Sequence, residues 1–154
     1  YEKSLLYHLT KNPGDYQGAI KRLPEGLQTL FIHAYQSWVF NKVLSQLVED
    51  GWYDEKYEIP LVGYKTDLKD NRPENLMEEV LEEEGVSQED FRMQELPELR
   101  SEGSYRRAFA DFRNFDIMEV EDDDLNMGRN KMVVGFDLPK GCYATVFLRE
   151  IMKN

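Results

Sequence analysis

The chain has 154 residues and a mass of 18.2 kDa, and a chain of this length buries about 70% of its unfolded surface without a metal or a disulfide. Hydrophobic residues make up 41% and charged residues 32%, which is the composition of a globular protein. The 30 acidic and 19 basic side chains give a net charge of -11, which excludes a protein whose whole surface binds nucleic acid. The single cysteine, Cys142, excludes an intramolecular disulfide framework and a cysteine-rich zinc site.

The negative charge is concentrated in the middle of the chain. Residues 1–50 have a net charge of 0, residues 51–100 of -9 and residues 101–154 of -2. An anionic partner is therefore expected to avoid the middle third. No run approaches 18 uninterrupted apolar residues and no signal peptide is apparent, so no membrane contact is expected. Together with the single cysteine, this favours a cytoplasmic protein.

The front of the chain predicts helices. An apolar stripe predicts a short helix over residues 2–10, which the Asn-Pro-Gly sequence at 12–14 ends. A second short helix is predicted over residues 15–23, stopped by Pro24. Residues 27–48 carry a wide apolar stripe with helical spacing, which predicts a long helix at the centre of the core.

The middle and back of the chain are more mixed. A short strand within residues 57–64 would lie at a sheet edge because it contains a proline. Pro73 suits the first turn of a helix that ends near Glu84, and Ser87 begins a capping box that opens one helical turn. Next come two strands, a loop, a tight turn and a last helix with Tyr143 on its apolar face; these strands are predicted over 115–120 and 131–136, the loop at 126–128 and the turn at 139–141.

The common catalytic motifs are missing. The chain has no GxGxxG or GxxxxGK[ST] phosphate loop and no HExxH zinc motif. The acidic run at 78–84 is interpreted as the solvated face of an amphipathic helix, and the acidic run at 121–124 as a surface turn. No metal and no cofactor are predicted.

Two pairs of basic residues are more suggestive. Lys21 and Arg22 are adjacent, as are Arg106 and Arg107, which follow Tyr105. Arginine beside an aromatic residue suits RNA, because guanidinium groups bind phosphate and aromatic rings stack on exposed bases. Ion pairs with the acidic middle are the alternative interpretation.

Three segments carry a specific resemblance. They read Asn-Pro-Gly-Asp-Tyr at 12–16, Phe-Ile-His-Ala-Tyr-Gln-Ser-Trp-Val-Phe-Asn at 31–41, and Leu-Pro-Lys-Gly-Cys-Tyr-Ala-Thr-Val-Phe-Leu-Arg-Glu at 138–150. In this order they closely resemble the C-terminal half of the TruD family of tRNA pseudouridine synthases, archaeal type. The resemblance extends over essentially the whole chain.

The resemblance implies an enzyme that isomerises a uridine of tRNA, typically at position 13, to pseudouridine. An aspartate acts as the nucleophile, the glycosidic bond breaks, and the base turns and reattaches through carbon, with no cofactor or metal. The implied fold class is α+β. Residues 1–114 would form a helix-rich region of the TRUD insertion type, and residues 115–154 the strand–turn–helix part of the catalytic domain.

The chain departs from the family pattern in two ways. The Gly-Thr-Lys-Asp box that carries the nucleophilic aspartate is absent, and residues 50–59 replace a longer, β-rich connection. We therefore expect a fragment whose partners are tRNA and the remaining N-terminal half of the same polypeptide. The isolated fragment is predicted to be inactive.

The resemblance also nominates individual side chains. Tyr143 is the candidate for touching the target base, with a core position as the alternative. Arg149 is the candidate for pairing with the absent aspartate, with a helix-end salt bridge as the alternative. Gln36 and Asn41 are predicted to make buried hydrogen bonds that fix the long helix. The candidates for phosphate contact are Lys21, Arg22, Arg106, Arg107 and Lys140.

Two other functions remain open from the sequence. The same fold would serve as a non-catalytic RNA-binding module, or the acidic middle would serve a protein-interaction domain. Phosphate contacts release counterions, so steep salt dependence of tRNA binding separates the RNA-binding hypotheses from the last one.

Overall fold

The computed structural model describes residues 1–54 and 56–153, which divide into two compact units. Unit 1 is residues 1–108 and unit 2 begins at Phe109. Helices dominate unit 1 and an antiparallel hairpin dominates unit 2, so the α+β prediction is confirmed. The assignment of residues 1–114 to an insertion-type region stays a prediction.

The elements of unit 1 match most of the predicted ones. The predicted helices and the short strand are present, whereas the strand over Ser104–Arg107 and the 3-10 turn over Pro97–Leu99 were not predicted. In chain order the elements are α1 (Glu2–Lys11), α2 (Tyr16–Ile20), α3 (Glu25–Glu49), β1 (Glu58–Leu61), α4 (Arg72–Glu83), 3-10 turns over Gln88–Arg92 and Pro97–Leu99, and β2 (Ser104–Arg107).

Glycine ends the long helix α3. Gly51 has a φ of 73°, a left-handed conformation that glycine adopts without steric cost. The chain can therefore turn back so that the N–H of Trp52 donates to the carbonyl of Leu47 at 2.8 Å. Helix α4 ends in the same way at Gly85.

The core of unit 1 lies where α3 packs against α4 and β1. Its side chains come from positions three and four apart on both helices, as the apolar stripes predicted. The buried cluster consists of Val39, Phe40, Val43, Leu47, Ile59, Val62, Leu76, Met77, Leu81 and Phe91.

The sheet of unit 1 tolerates a proline. Strands β1 and β2 are antiparallel, with Pro60 opposite Tyr105. The sheet has two strands, so each has an unpaired edge, and the missing N–H of Pro60 costs no ladder bond on that side. The prediction of an edge strand at this point is confirmed.

Unit 2 consists of a long hairpin and one helix. Strands β3 (Arg113–Asp122) and β4 (Asn130–Asp137) are antiparallel, and helix α5 (Ala144–Ile151) follows. Four phenylalanine rings, those of Phe112, Phe115, Phe136 and Phe147, lie with centroids 4.6 to 6.3 Å apart. Even so, no described residue of unit 2 is buried.

Candidate nucleic-acid interface

Tyr143 lies at the start of α5 and is exposed. It is the residue before the first helical position, and 76% of its surface is accessible. The preceding turn is closed by a hydrogen bond of 3.1 Å from the N–H of Cys142 to the carbonyl of Pro139, with Gly141 at a φ of 93°. Lys140 is exposed in this turn. Within this chain the Tyr143 side chain is accessible, and both interpretations, contact with the base and a core position, stay predictions.

Arg149 lies exposed in the last turn of α5, where a cation interacts favourably with the helix dipole. The ion pair in this turn joins Lys153 to Glu150 instead. That hydrogen bond is the main cause of the lowered pKa of Glu150, and the charge of Arg149 adds to it. Among the described residues, Arg149 forms no salt bridge of its own.

Unit 2 exposes apolar side chains from the hairpin and from α5. Exposed examples on the hairpin include Ile117, Met118 and Val120, and Val146 and Ile151 are exposed on the helix. The apolar side chains of unit 2 are therefore accessible to solvent in this chain.

Arg22 belongs to a hydrogen-bonded group in unit 1. The Nε2 atom of His8 lies 2.8 Å from Oδ2 of Asp15, and Nε of Arg22 donates to Nδ1 of His8 at 3.4 Å. The imidazole is enclosed, with 10% of its side chain accessible, whereas Lys21 and Arg22 are exposed. The contacts join α1, the start of α2 and the residues after α2.

Asp15 also caps α2. Its Oδ1 accepts a hydrogen bond of 2.8 Å from the backbone N–H of Gly18. This bond and then the one from His8 are the main causes that lower the pKa of the Asp15 carboxyl. The sequence singled out Asp15 only as part of the Asn-Pro-Gly-Asp-Tyr segment, and missed its contact with His8. The available signal was a histidine before the Asn-Pro-Gly sequence at 12–14 and an aspartate directly after it.

Arg106 and Arg107 are neighbours in sequence but not on one surface. They are successive residues of β2, so their side chains point to opposite faces of the sheet. The guanidinium of Arg106 lies 5.3 Å from the ring centroid of Phe40, a cation–π contact. Arg107 lies opposite Glu58 in the register. Each arginine is exposed, and each would serve a different face.

The two polar residues of α3 that the sequence singled out, Gln36 and Asn41, differ in burial. Gln36 is buried, and its amide nitrogen donates to the carbonyl of Val62 at 2.6 Å and to Oγ of Ser101 at 2.7 Å. The predicted structural role is therefore confirmed for Gln36. For Asn41 it is wrong, because Asn41 lies on the exposed side of the helix.

The acidic residues do not form a metal site. Within residues 1–54 and 56–153, no group of three or more histidine, cysteine, aspartate or glutamate side chains has an arrangement that would hold a metal ion. The glutamates of the 78–84 run are exposed on α4. In the same described ranges, no helix is both long enough and apolar enough to span a bilayer.

Comparison with known proteins identifies the family. The family model of tRNA pseudouridine synthase D (TruD) matches residues 1–58 and 54–151. The chain belongs to the TruD family. The two matched segments of the TruD model meet in the connection after α3, which is the place where the sequence predicted a shortened segment.

Individual TruD relatives agree with this assignment. A protein of Methanopyrus kandleri named "Probable tRNA pseudouridine synthase D" is 36% identical over 163 residues, which cover 99% of this chain and 39% of the relative. A protein of Methanosarcina acetivorans with the same name is 32% identical over 195 residues, which cover 99% of this chain and 44% of the relative.

A solved structure agrees as well. The crystal structure of the TruD protein of Methanosarcina mazei superposes with a TM-score of 0.83 at 31% sequence identity, covering 99% of this chain and 44% of that one. The chain therefore spans about two fifths of the length of the TruD relatives it matches.

Proposed function

We propose that this chain is the part of a tRNA pseudouridine synthase that binds tRNA and forms one side of the catalytic cleft. The substrate is a uridine of tRNA, typically at position 13, and the nucleophilic aspartate comes from outside the chain. The observation that carries the proposal is the match to the TruD family along residues 1–58 and 54–151.

The reaction is an isomerisation in which every atom of the uridine is retained. The bond from N1 of uracil to C1′ of ribose breaks, a bond from C5 to C1′ forms, and the hydrogen displaced from C5 is balanced by one gained at N1. A nucleophilic carboxylate must remain ionised to attack. The guanidinium of Arg149 is assigned to pair with that aspartate, since a nearby cation lowers a carboxyl pKa.

Tyr143 is assigned to the target base. Its exposed ring precedes the first turn of α5, next to the turn that carries Lys140. An aromatic ring in this position would stack on a uracil that has been taken out of the RNA stack, and would hold it while the base turns.

The phosphate contacts are assigned to exposed basic residues in both units. Lys21, Arg22, Arg106 and Arg107 lie in unit 1, and Lys140 lies in unit 2. Such contacts fix the position of the RNA and carry no sequence information. Because the chain as a whole is acidic, this local placement lets it bind an anion without a basic surface overall.

The remaining N-terminal half of the synthase is assigned to the apolar surface of unit 2. The support is that none of the described residues of unit 2 is buried, and that the chain spans about two fifths of the length of its relatives. Covering the hairpin and α5 would remove apolar surface from water, which is the main favourable term in such association. The assembled enzyme is proposed to act in the cytoplasm.

The test joins this chain to the part of the Methanopyrus kandleri relative that lies outside the matched region. We expect the joined protein to form pseudouridine in an unmodified tRNA transcript, detected by carbodiimide modification and primer extension. The chain alone should form none. Pseudouridine formed by the chain alone would refute the proposal that the nucleophilic aspartate comes from outside the chain.

Tyr143 is tested in the joined protein. Tyr143→Ala should lower kcat by more than it weakens the Kd for tRNA, and Tyr143→Phe should retain most of the turnover because stacking is kept. An equal loss in kcat and affinity for both variants would indicate packing instead. Steeply salt-dependent tRNA binding without any isomerisation would favour the non-catalytic RNA-binding module.

A further inference from the structure

The two partners of His8 fix its protonation state. Asp15 presents an ionised carboxylate, which only accepts hydrogen bonds, and the guanidinium of Arg22 only donates. An imidazole that satisfies both must carry its proton on Nε2 and a lone pair on Nδ1. His8 therefore pairs with Asp15 and Arg22 as the neutral Nε2–H tautomer, at 2.8 Å and 3.4 Å.

This arrangement leaves the end of the Arg22 guanidinium available. The bond to His8 uses Nε, and within the described residues no other hydrogen bond or salt bridge involves the Arg22 side chain. The side chain is exposed, and Lys21 beside it is exposed as well. The two terminal nitrogens of a guanidinium match two oxygens of one phosphate, which gives a bidentate contact.

We propose that Asp15 and His8 are positioning residues that hold the Arg22 guanidinium ready for a phosphate of tRNA. The inference rests on the proposed function, which assigns Arg22 to tRNA. A free arginine must give up side-chain rotamers when it binds phosphate, and holding it in advance removes that loss. The Asp15–His8–Arg22 group thus raises the affinity for tRNA, although neither Asp15 nor His8 touches the RNA.

Gly18 makes the close contact possible. A Cβ at Gly18 would lie 2.1 Å from Oδ2 of Asp15 and 2.7 Å from Nε2 of His8. Any side chain there would displace the Asp15 carboxylate from the imidazole. Gly18→Ala therefore breaks the group without removing any of its three functional side chains.

A double-mutant cycle tests the energetic coupling. We expect Arg22→Ala to weaken binding of an unmodified tRNA transcript by roughly tenfold, as for loss of a charge-assisted hydrogen bond. His8→Ala and Gly18→Ala should each reproduce a large part of that loss, and His8→Ala combined with Arg22→Ala should bind no more weakly than Arg22→Ala alone. His33→Ala, which removes the chain's other histidine from an exposed position, is the matched control.

Nitrogen NMR tests the geometry without RNA. The His8 ring should show a protonated Nε2 and an unprotonated Nδ1 at neutral pH, and the N–H at Nε of Arg22 should give a signal protected from exchange. His8→Ala should abolish that signal. His8→Gln offers an amide oxygen and an amide N–H, so it should retain part of the tRNA affinity.

The outcomes separate this inference from the proposed function. If Arg22→Ala weakens binding but His8→Ala does not, or if their losses simply add, the positioning role is wrong and Arg22 still binds RNA. If Arg22→Ala has no effect on tRNA binding, both the assignment of Arg22 and its positioning are overturned. A protonated Nδ1 on His8 at neutral pH would overturn the positioning role regardless of the binding data.

Discussion

Units 1 and 2 contain similar apolar residue types but use them differently. In unit 1, side chains such as Val39, Val43 and Met77 are fully enclosed between α3, α4 and β1. In unit 2, the apolar residues of β3, β4 and α5 remain partly or wholly exposed. A two-stranded hairpin with one helix offers too little area to enclose them, and isolated hairpins are marginal in water. Unit 1 therefore has its own core, whereas unit 2 leaves its apolar side chains accessible to solvent.

The largest expected effect contrasts one leucine from each unit. Leu47→Ala removes a side chain with 0% exposure and should lower the free energy of unfolding by about 2–5 kcal/mol, through lost transfer energy and a residual cavity. Leu125→Ala, at 91% exposure in the hairpin loop of unit 2, should change it by less than about 0.5 kcal/mol. Urea unfolding followed by circular dichroism and tryptophan fluorescence measures both. An equal loss in the two variants would show that unit 2 has a core of its own.

The second expected effect concerns a close backbone approach in unit 1. A Cβ at Gly63 would lie 2.2 Å from the backbone nitrogen of Gly103 and 2.5 Å from the carbonyl oxygen of Ser101, atoms that cannot rotate away. Gly63→Ala should therefore lower the free energy of unfolding by about 1–3 kcal/mol, as overpacking does.

The matched control for that variant is Gly26→Ala in the first turn of α3. Apart from the adjacent residues and the backbone of the helix itself, no atom lies within 4 Å of a Cβ at this position, and alanine favours a helix over glycine by up to about 1 kcal/mol. Thermal melts of both variants provide the measurement. A Gly63→Ala protein as stable as the Gly26→Ala protein would mean that the two segments of unit 1 separate easily.

Local signals in the sequence predicted most of unit 1. Pro73 and Gly85 bracket α4, and Ser87 forms the predicted capping box with Asp90, whose carboxylate accepts from the Ser87 N–H at 2.7 Å. Each of these signals acts within a few residues, so a pattern in one segment suffices. The family was predicted from the TruD resemblance, because helix caps and helix-ending residues of this kind occur in many families.

Features that depend on distant pairing were not predictable. Strand β2 is four residues long, has no apolar alternation, and exists because it pairs with β1 some forty residues earlier. The group of His8, Asp15 and Arg22 depends on how the chain turns between α1 and α2, which spacing alone does not give. The prediction for Asn41 is wrong because a polar residue within an apolar helix can lie on either side of that helix, and here it lies on the exposed side.

The smallest expected effect concerns acid and the junction of α3 with α4. Asp50 caps the C-terminal end of α3, where a carboxylate is unfavourable, and the guanidinium of Arg72 at the start of α4 offsets its charge. The hydrogen bond from Arg72, and then the one from Gln46, lower the pKa of the Asp50 carboxyl below its ordinary value of 3.8. Because the folded pKa is the lower one, this stabilisation is complete above the ordinary value and is lost as the pH falls through the folded value.

Asp50→Asn should therefore reduce the stability of unit 1 slightly at neutral pH and not at all below the lowered pKa. The urea midpoints of the parent and the variant should converge as the pH falls. Arg72→Gln should cause the same small loss, and combining it with Asp50→Asn should add little, since the pair acts as a unit. A difference that persists at low pH would assign Asp50 a role in packing. If parent and variant are equally stable at neutral pH, the Asp50–Arg72 contact is one of the exposed ion pairs that contribute nothing measurable, because both side chains are well solvated.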